Sequence, residues 1–286
     1  MHYRARIIKK IKKICHDDTT SHWAREYTLS GNIGICKKNS KVYWHSTELL
    51  VTEKTVSHCK TQLECVKTLH GHTEEVLCIK KLSHCKLMSS SCDTTIKIWD
   101  QCNENCINTL YGHTDWVLCL GKLSTHRIIS GSKDNTIKIW NLNSGQCVQT
   151  MHGHTSWVQC ILVLPIKHHV VSGSYDKTIK IWNLTTATVI STLYGHTCWV
   201  TCLSFLVTGE LLSGSNDGTI KMWDLKSERC MKTFAGHIGI VSCITIVPSG
   251  GEFLSGSGDR TIKVWDMAKT VCIKTLYGHG LSLIHI

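Results

Sequence analysis

Only two prolines occur in 286 residues, so the turns must be made by other residue types. No stretch of eighteen consecutive apolar residues exists, which excludes a membrane-spanning helix. No charged, apolar and small-residue leader opens the chain, so no cleaved secretory signal is expected. No Gly-rich phosphate loop, metal-ligand spacing or singular nucleophile stands out, and we expect no catalytic residues, no cofactor and no metal. Seventeen cysteines are present, yet none forms a Cys-x2-Cys pair, which argues against zinc. Residues 1–13 contain no acid at all.

What is present is periodic. Gly-His pairs begin at 71, 112, 153, 195, 236 and 278, and tryptophans follow at 99, 140, 182, 223 and 265. Both markers recur every 41 or 42 residues. Within one unit, Trp116–Leu120, Arg127–Ser132, Thr136–Leu142 and Gln146–Met151 read as four short strands separated by polar turn residues. Four such strands form an antiparallel meander. A meander cannot bury both faces alone and must stack against neighbours. The period also places the cysteines. Cys78, Cys119, Cys160, Cys202 and Cys243 share one phase of the first strand, and Cys65, Cys106, Cys147, Cys230 and Cys272 share one phase of the fourth. Both sets read as small buried apolar groups.

A repeat of this length, with Gly-His near its start and Trp-Asp near its end, resembles the WD-repeat family. Trp99-Asp100, Trp223-Asp224 and Trp265-Asp266 keep the family dipeptide, whereas Trp140-Asn141 and Trp182-Asn183 depart from it. The resemblance implies an all-β β-propeller of four-stranded blades. We assign repeats to 70–111, 112–152, 153–194, 195–235 and 236–277. Residues 1–29 read as a basic, irregular tail and 30–69 as a degenerate blade. Strands are expected there at Asn32–Lys38, Lys41–Ser46, Glu48–Val56 and Cys65–Leu69. A sixth unit begins at Gly278 and stops. Leu281–Ile286 continues no repeat and reads like a translated sequencing adapter, so we expect a truncated ring.

The resemblance also implies a hydrogen-bond network in each unit: His72, Ser89, Asp93, Trp99; His113, Ser130, Asp134, Trp140; His154, Ser172, Asp176, Trp182; His196, Ser213, Asp217, Trp223; and His237, Ser255, Asp259, Trp265. Ser132 and its equivalents, two residues on, compete for the serine role. Ser, His and Asp together suggest hydrolytic chemistry, but catalysis needs one exposed constellation, and here the set recurs five times in register. Family geometry further places three positions of each unit at one mouth of the channel. The first is Glu75, Trp116, Trp157, Trp199 and Ile240. The second is Thr73, Thr114, Thr155, Thr197 and Ile238. The third is Cys92, Lys133, Tyr175, Asn216 and Gly258. Tryptophans clustered at such a rim suit an interface hot spot, and the competing reading is that they plug the channel.

The formal charge is +11. Arg4, Arg6, Lys9, Lys10, Lys12 and Lys13 supply six charges, and the repeated third-strand position Lys97, Lys138, Lys180, Lys221 and Lys263 supplies five. Spread charges are a poor phosphate groove. We therefore expect a non-enzymatic scaffold that docks a protein or peptide on the rim. A substrate-recognition module of a ubiquitin ligase, and an RNA or ribonucleoprotein binder using the basic tail, are the alternatives. The abundant thiols point to a reducing compartment, cytosol or nucleus, where the sequon at Asn183 stays unmodified. The oligomeric state is not encoded in the pattern.

Overall fold

The computed structural model describes residues 33–38, 41–46, 64–165, 168–247 and 251–278. The tail over 1–29, the strand expected at 48–56 and the end over 279–286 lie outside the described residues. The described residues form strands and no helix, so no helix is long and apolar enough to cross a membrane. They fall into two compact units, one within 24–152 and one within 153–286.

Five four-stranded antiparallel sheets span 76–110, 117–151, 158–193, 200–235 and 241–276, each in sequential strand order. Each has the form of the four-stranded blade that the resemblance implies, and they are numbered as blades 1 to 5 below. Blades 1 and 2 belong to the first unit and blades 3 to 5 to the second. In blade 2 the strands are Val117–Lys122, Arg127–Ser132, Ile137–Asn141 and Gln146–Met151. A three-stranded sheet precedes them, in which Ile33–Lys38 lies between Lys41–Ser46 and Glu64–Leu69. That order is not the sequential order of the blades.

Alternation builds the core. In the third strand of blade 2, Ile137 and Ile139 are buried and Lys138 is half-buried. Cys78, Met88, Ile96, Ile98 and Leu110 of blade 1 pack with Val117, Leu120, Ile128 and Trp140 of blade 2. In the second unit, Val171, Ile179, Ile181 and Leu193 of blade 3 pack on Val200, Leu211 and Trp223 of blade 4. Leu212, Ile220, Met222 and Phe234 of blade 4 likewise meet Val241, Phe253 and Trp265 of blade 5. Each of the five buried tryptophans removes enough apolar surface to stabilise the fold by roughly 4–6 kcal/mol before entropy is counted.

The cysteine expectation holds in part for one strand and fails for the other. Cys78, Cys119 and Cys243 of the first strand are buried and Cys160 and Cys202 half-buried, but Cys106 and Cys230 of the fourth are exposed, with Cys147 and Cys272 half-buried. The fourth strand is an outer edge, and each of these cysteines stands opposite the blade tryptophan where the register shifts by one residue. Their thiols turn to the carbonyl two residues on, as Cys106 Sγ does to Asn108 O at 3.3 Å.

Candidate functional site

The polar set of each blade closes into one chain of hydrogen bonds. The tryptophan Nε1–H donates to the first serine Oγ at 2.7–2.8 Å. That Oγ lies 2.7 Å from the histidine Nε2 in all five blades. The histidine Nδ1 lies 2.6–2.9 Å from an aspartate Oδ2. The carboxylate can only accept, so Nδ1–H donates to it, while the serine hydroxyl, with one hydrogen and two lone pairs, bridges the indole and Nε2.

A threonine two residues beyond the aspartate completes the set, and the tetrad reading missed it. Thr95, Thr136, Thr178, Thr219 and Thr261 donate Oγ1–H to the aspartate Oδ1 at 2.6–2.7 Å. The repeated Asp-x-Thr spacing carried that signal. The two serines divide the work. Ser89, Ser130, Ser172, Ser213 and Ser255 join indole to imidazole, while Ser91, Ser132, Ser174, Ser215 and Ser257 accept the aspartate N–H at 3.0–3.1 Å. The first group is fully buried, so no substrate reaches these serines despite their triad-like geometry.

Burial by itself raises the carboxyls of Asp93, Asp134, Asp176 and Asp217. Hydrogen bonds from histidine and threonine outweigh it and hold all four well below the usual carboxylate range. Asp259 is lowered to about 2 by the same balance. Burial pushes the imidazoles of His154 and His237 down, against the pull of Asp176 and Asp259.

This network holds the backbone at the positions expected to form the rim. In every blade the first rim residue accepts, through its carbonyl, the backbone N–H of the third: Cys92 to Glu75, Lys133 to Trp116, Tyr175 to Trp157, Asn216 to Trp199 and Gly258 to Ile240, at 2.8–2.9 Å. The second rim residue donates its N–H to the network carboxylate, as Thr155 does to Asp176 at 3.1 Å. Rim side chains therefore stand on backbone fixed from behind.

Glu75, Trp116 and Lys133 lie in the first unit; Trp157, Tyr175, Trp199, Asn216 and Ile240 lie in the second. Lys133 Nζ sits 4.2 Å from the Trp116 ring centroid and 3.8 Å from Asp115 Oδ1. Glu75 is half-buried, beside a Cys92 thiol that burial and the nearby Glu75, Glu74 and Asp93 push up to about 11. In the second unit three rings form a ladder. Tyr175 stacks on Trp157 at 4.7 Å and 21°, and on Trp199 at 4.2 Å and 3°. Trp199 is 38 % exposed, and beyond it Ile240 is 38 % and Ile238 95 % exposed. Asn216 turns its Nδ2 toward Cys198 Sγ at 3.4 Å. Burial, with a smaller contribution from Cys198, raises the Tyr175 hydroxyl, so it stays neutral. Among the described residues no three metal-capable side chains converge.

No curated protein matches the chain closely enough to serve as a relative. The family model described as WD domain, G-beta repeat matches five times, over 63–100, 104–141, 145–183, 187–224 and 228–266. Each match begins near a fourth strand and ends at or just after the tryptophan of the next blade, so the sequence repeat straddles two sheets. With the meanders and the recurring network already in place, those five matches show that the chain belongs to the WD-repeat family.

Proposed function

We propose that this protein is a non-catalytic interaction module that docks an extended segment of a protein partner on the rim of blades 3 and 4, against Trp157, Tyr175 and Trp199. WD repeats indicate a protein-interaction scaffold, and the ring ladder supports the choice of place. Three stacked rings on fixed backbone offer broad apolar area at little entropic cost. The exposed Ile238 and Ile240 extend that surface onto blade 5. The abundance of cysteine, seventeen in 286 residues, suits a reducing compartment, cytosol or nucleus.

The test uses peptides selected by display on the intact protein. Trp157→Ala and Tyr175→Ala should each weaken the selected peptides about 30-fold, equivalent to about 2 kcal/mol for an anchor residue, with the urea midpoint unchanged. Undiminished binding in both variants refutes the site. Unfolding of Trp157→Ala would instead make that ring part of the core.

A further inference from the structure

A second site lies away from the rim, at the outer edge where blade 3 meets blade 4. A cavity of about 210 Å³ opens there between the fourth strand of blade 3 and the turn after Asp224. Leu164, Ile181 and Ile190 give it apolar walls. Ser191, only 7 % exposed, also lines it, and its Oγ has no hydrogen-bond partner. A buried hydroxyl left unpaired is costly, and this one borders empty space.

The other blades explain the vacancy. Register places Asn108, Ser191 and Lys232 at one fourth-strand position, opposite Ile98, Ile181 and Met222. In blade 4, Lys232 spans the seam and its Nζ donates to Met267 O at 2.7 Å and Ala268 O at 3.1 Å in the turn of blade 5. In blade 1, Asn108 packs on the turn of blade 2, where a Cβ added to Gly145 would stand 2.9 Å from its Nδ2. Blade 3 has serine there, too short to reach. Leu225 and Lys226 occupy in blade 4 the positions of Met267 and Ala268, and both line the cavity. The site thus lacks what Lys232 supplies next door: an aliphatic chain with a terminal ammonium.

We propose that this cavity binds a primary alkylammonium group, its chain against Leu164, Ile181 and Ile190 and its –NH3+ donating to the Leu225 and Lys226 carbonyls and to Ser191 Oγ. The volume suffices, since an apolar cavity of about 150 Å³ accepts benzene. His169, Lys226 and Glu228 complete the lining, so one carboxylate stands there against one ammonium and an imidazole. The reading stands independently of the rim.

The test titrates n-butylammonium chloride into the intact protein and follows the methyl resonances of Ile181, Ile190 and Leu225. Saturable shifts with a millimolar Kd are expected, with n-butanol about tenfold weaker. Ser191→Lys should abolish the shifts and raise the thermal midpoint, because the new side chain restores the bridge. Absence of saturation up to roughly 100 mM amine, or equal binding of butanol, overturns the proposal. The butanol comparison is made on the unsubstituted protein and holds even if the variant does not fold. A lysine-containing pentapeptide, compared with its norleucine counterpart, identifies the source. Tighter binding than the free amine assigns the ligand to a partner's lysine, and weaker binding assigns it to a free amine; ammonium recognition stands in both cases.

Discussion

Asp176 takes four hydrogen bonds, from His154 Nδ1, Thr155 N, Thr178 N and Thr178 Oγ1. Such a carboxylate resists protonation, and the imidazole of His154 resists a second proton because burial disfavours its charged form. Both features make acid destabilising, and the sign can be worked out. The folded-state pKa values of His154 and His237 are lowered, chiefly by burial. Below about pH 6.5, the ordinary histidine value, the unfolded chain therefore binds protons that the folded chain refuses, and stability falls. The aspartates are also lowered, hydrogen bonds from histidine and threonine outweighing burial. They remove further stability as pH drops below about 3.9 and the unfolded carboxyls protonate. The urea midpoint should be flat above neutrality, decline toward pH 5 and decline again below pH 4. A midpoint that rises on acidification would mean the histidines are charged in the folded state. At the same scale, the departures of Asn141 and Asn183 from the family aspartate become intelligible. Asn141 Oδ1 accepts the Asn143 N–H at 2.9 Å, as Asp224 Oδ1 accepts that of Lys226 at 3.0 Å. The turn needs an oxygen there and not a charge.

At the scale of the element, the seam between blades sets the tolerance for a single methyl group. A Cβ on Gly214 of blade 4 would lie 2.7 Å from Val241 Cγ1 of blade 5 and 2.6 Å from Cys202 Sγ. Gly173 of blade 3 faces Val200 and Cys160 just as closely. Ser90 holds the corresponding place in blade 1, buried, with a hydroxyl that has no partner. The two cases predict opposite signs. Gly214→Ala should destabilise by about 1–3 kcal/mol through overpacking, and Ser90→Ala should stabilise by about 1 kcal/mol by removing an unpaired polar atom. Equilibrium urea unfolding measures both, and a loss of stability in Ser90→Ala would show that the hydroxyl is satisfied in solution. The strands of these blades were legible because the 41–42-residue period and the alternation of side chains agree; Arg127–Ser132 and Gln146–Met151 carry the same bounds in sequence and structure. The exposure of Cys106 and Cys230 was not legible, because phase alone does not tell an inner strand from an outer edge. Nor was the pairing of Ile33–Lys38 with Glu64–Leu69, where no Gly-His or Trp marker fixes the register. Among the expected rim residues, the sequence singled out Trp157, Tyr175 and Trp199 but not the stacking of Tyr175 between two indoles, which depends on ring orientation.

For the whole molecule, the question is what an excess of eleven positive charges does. Five of the lysines are tied one to a blade. Lys97, Lys138, Lys180, Lys221 and Lys263 each donate Nζ–H to a fourth-strand threonine of the same blade at 2.9–3.0 Å. An ammonium held in its own sheet, one per blade, does not pool into a groove for a phosphate backbone. Six further basic residues fall within residues 1–13 of the sequence without an acid among them. Any affinity for single-stranded RNA should therefore belong to those six. Its logarithm should fall with the logarithm of salt concentration at a slope of about 4, from roughly 0.7 for each phosphate neutralised. Replacing Arg4, Arg6, Lys9, Lys10, Lys12 and Lys13 by Gln should bring that slope close to zero. Lys180→Gln should leave it unchanged, because the Lys180 ammonium already has Thr192 as its partner. If Lys180→Gln instead lowers the slope by roughly 0.7, the blade lysines leave their threonines to meet phosphate, and the division of charge between tail and blades fails.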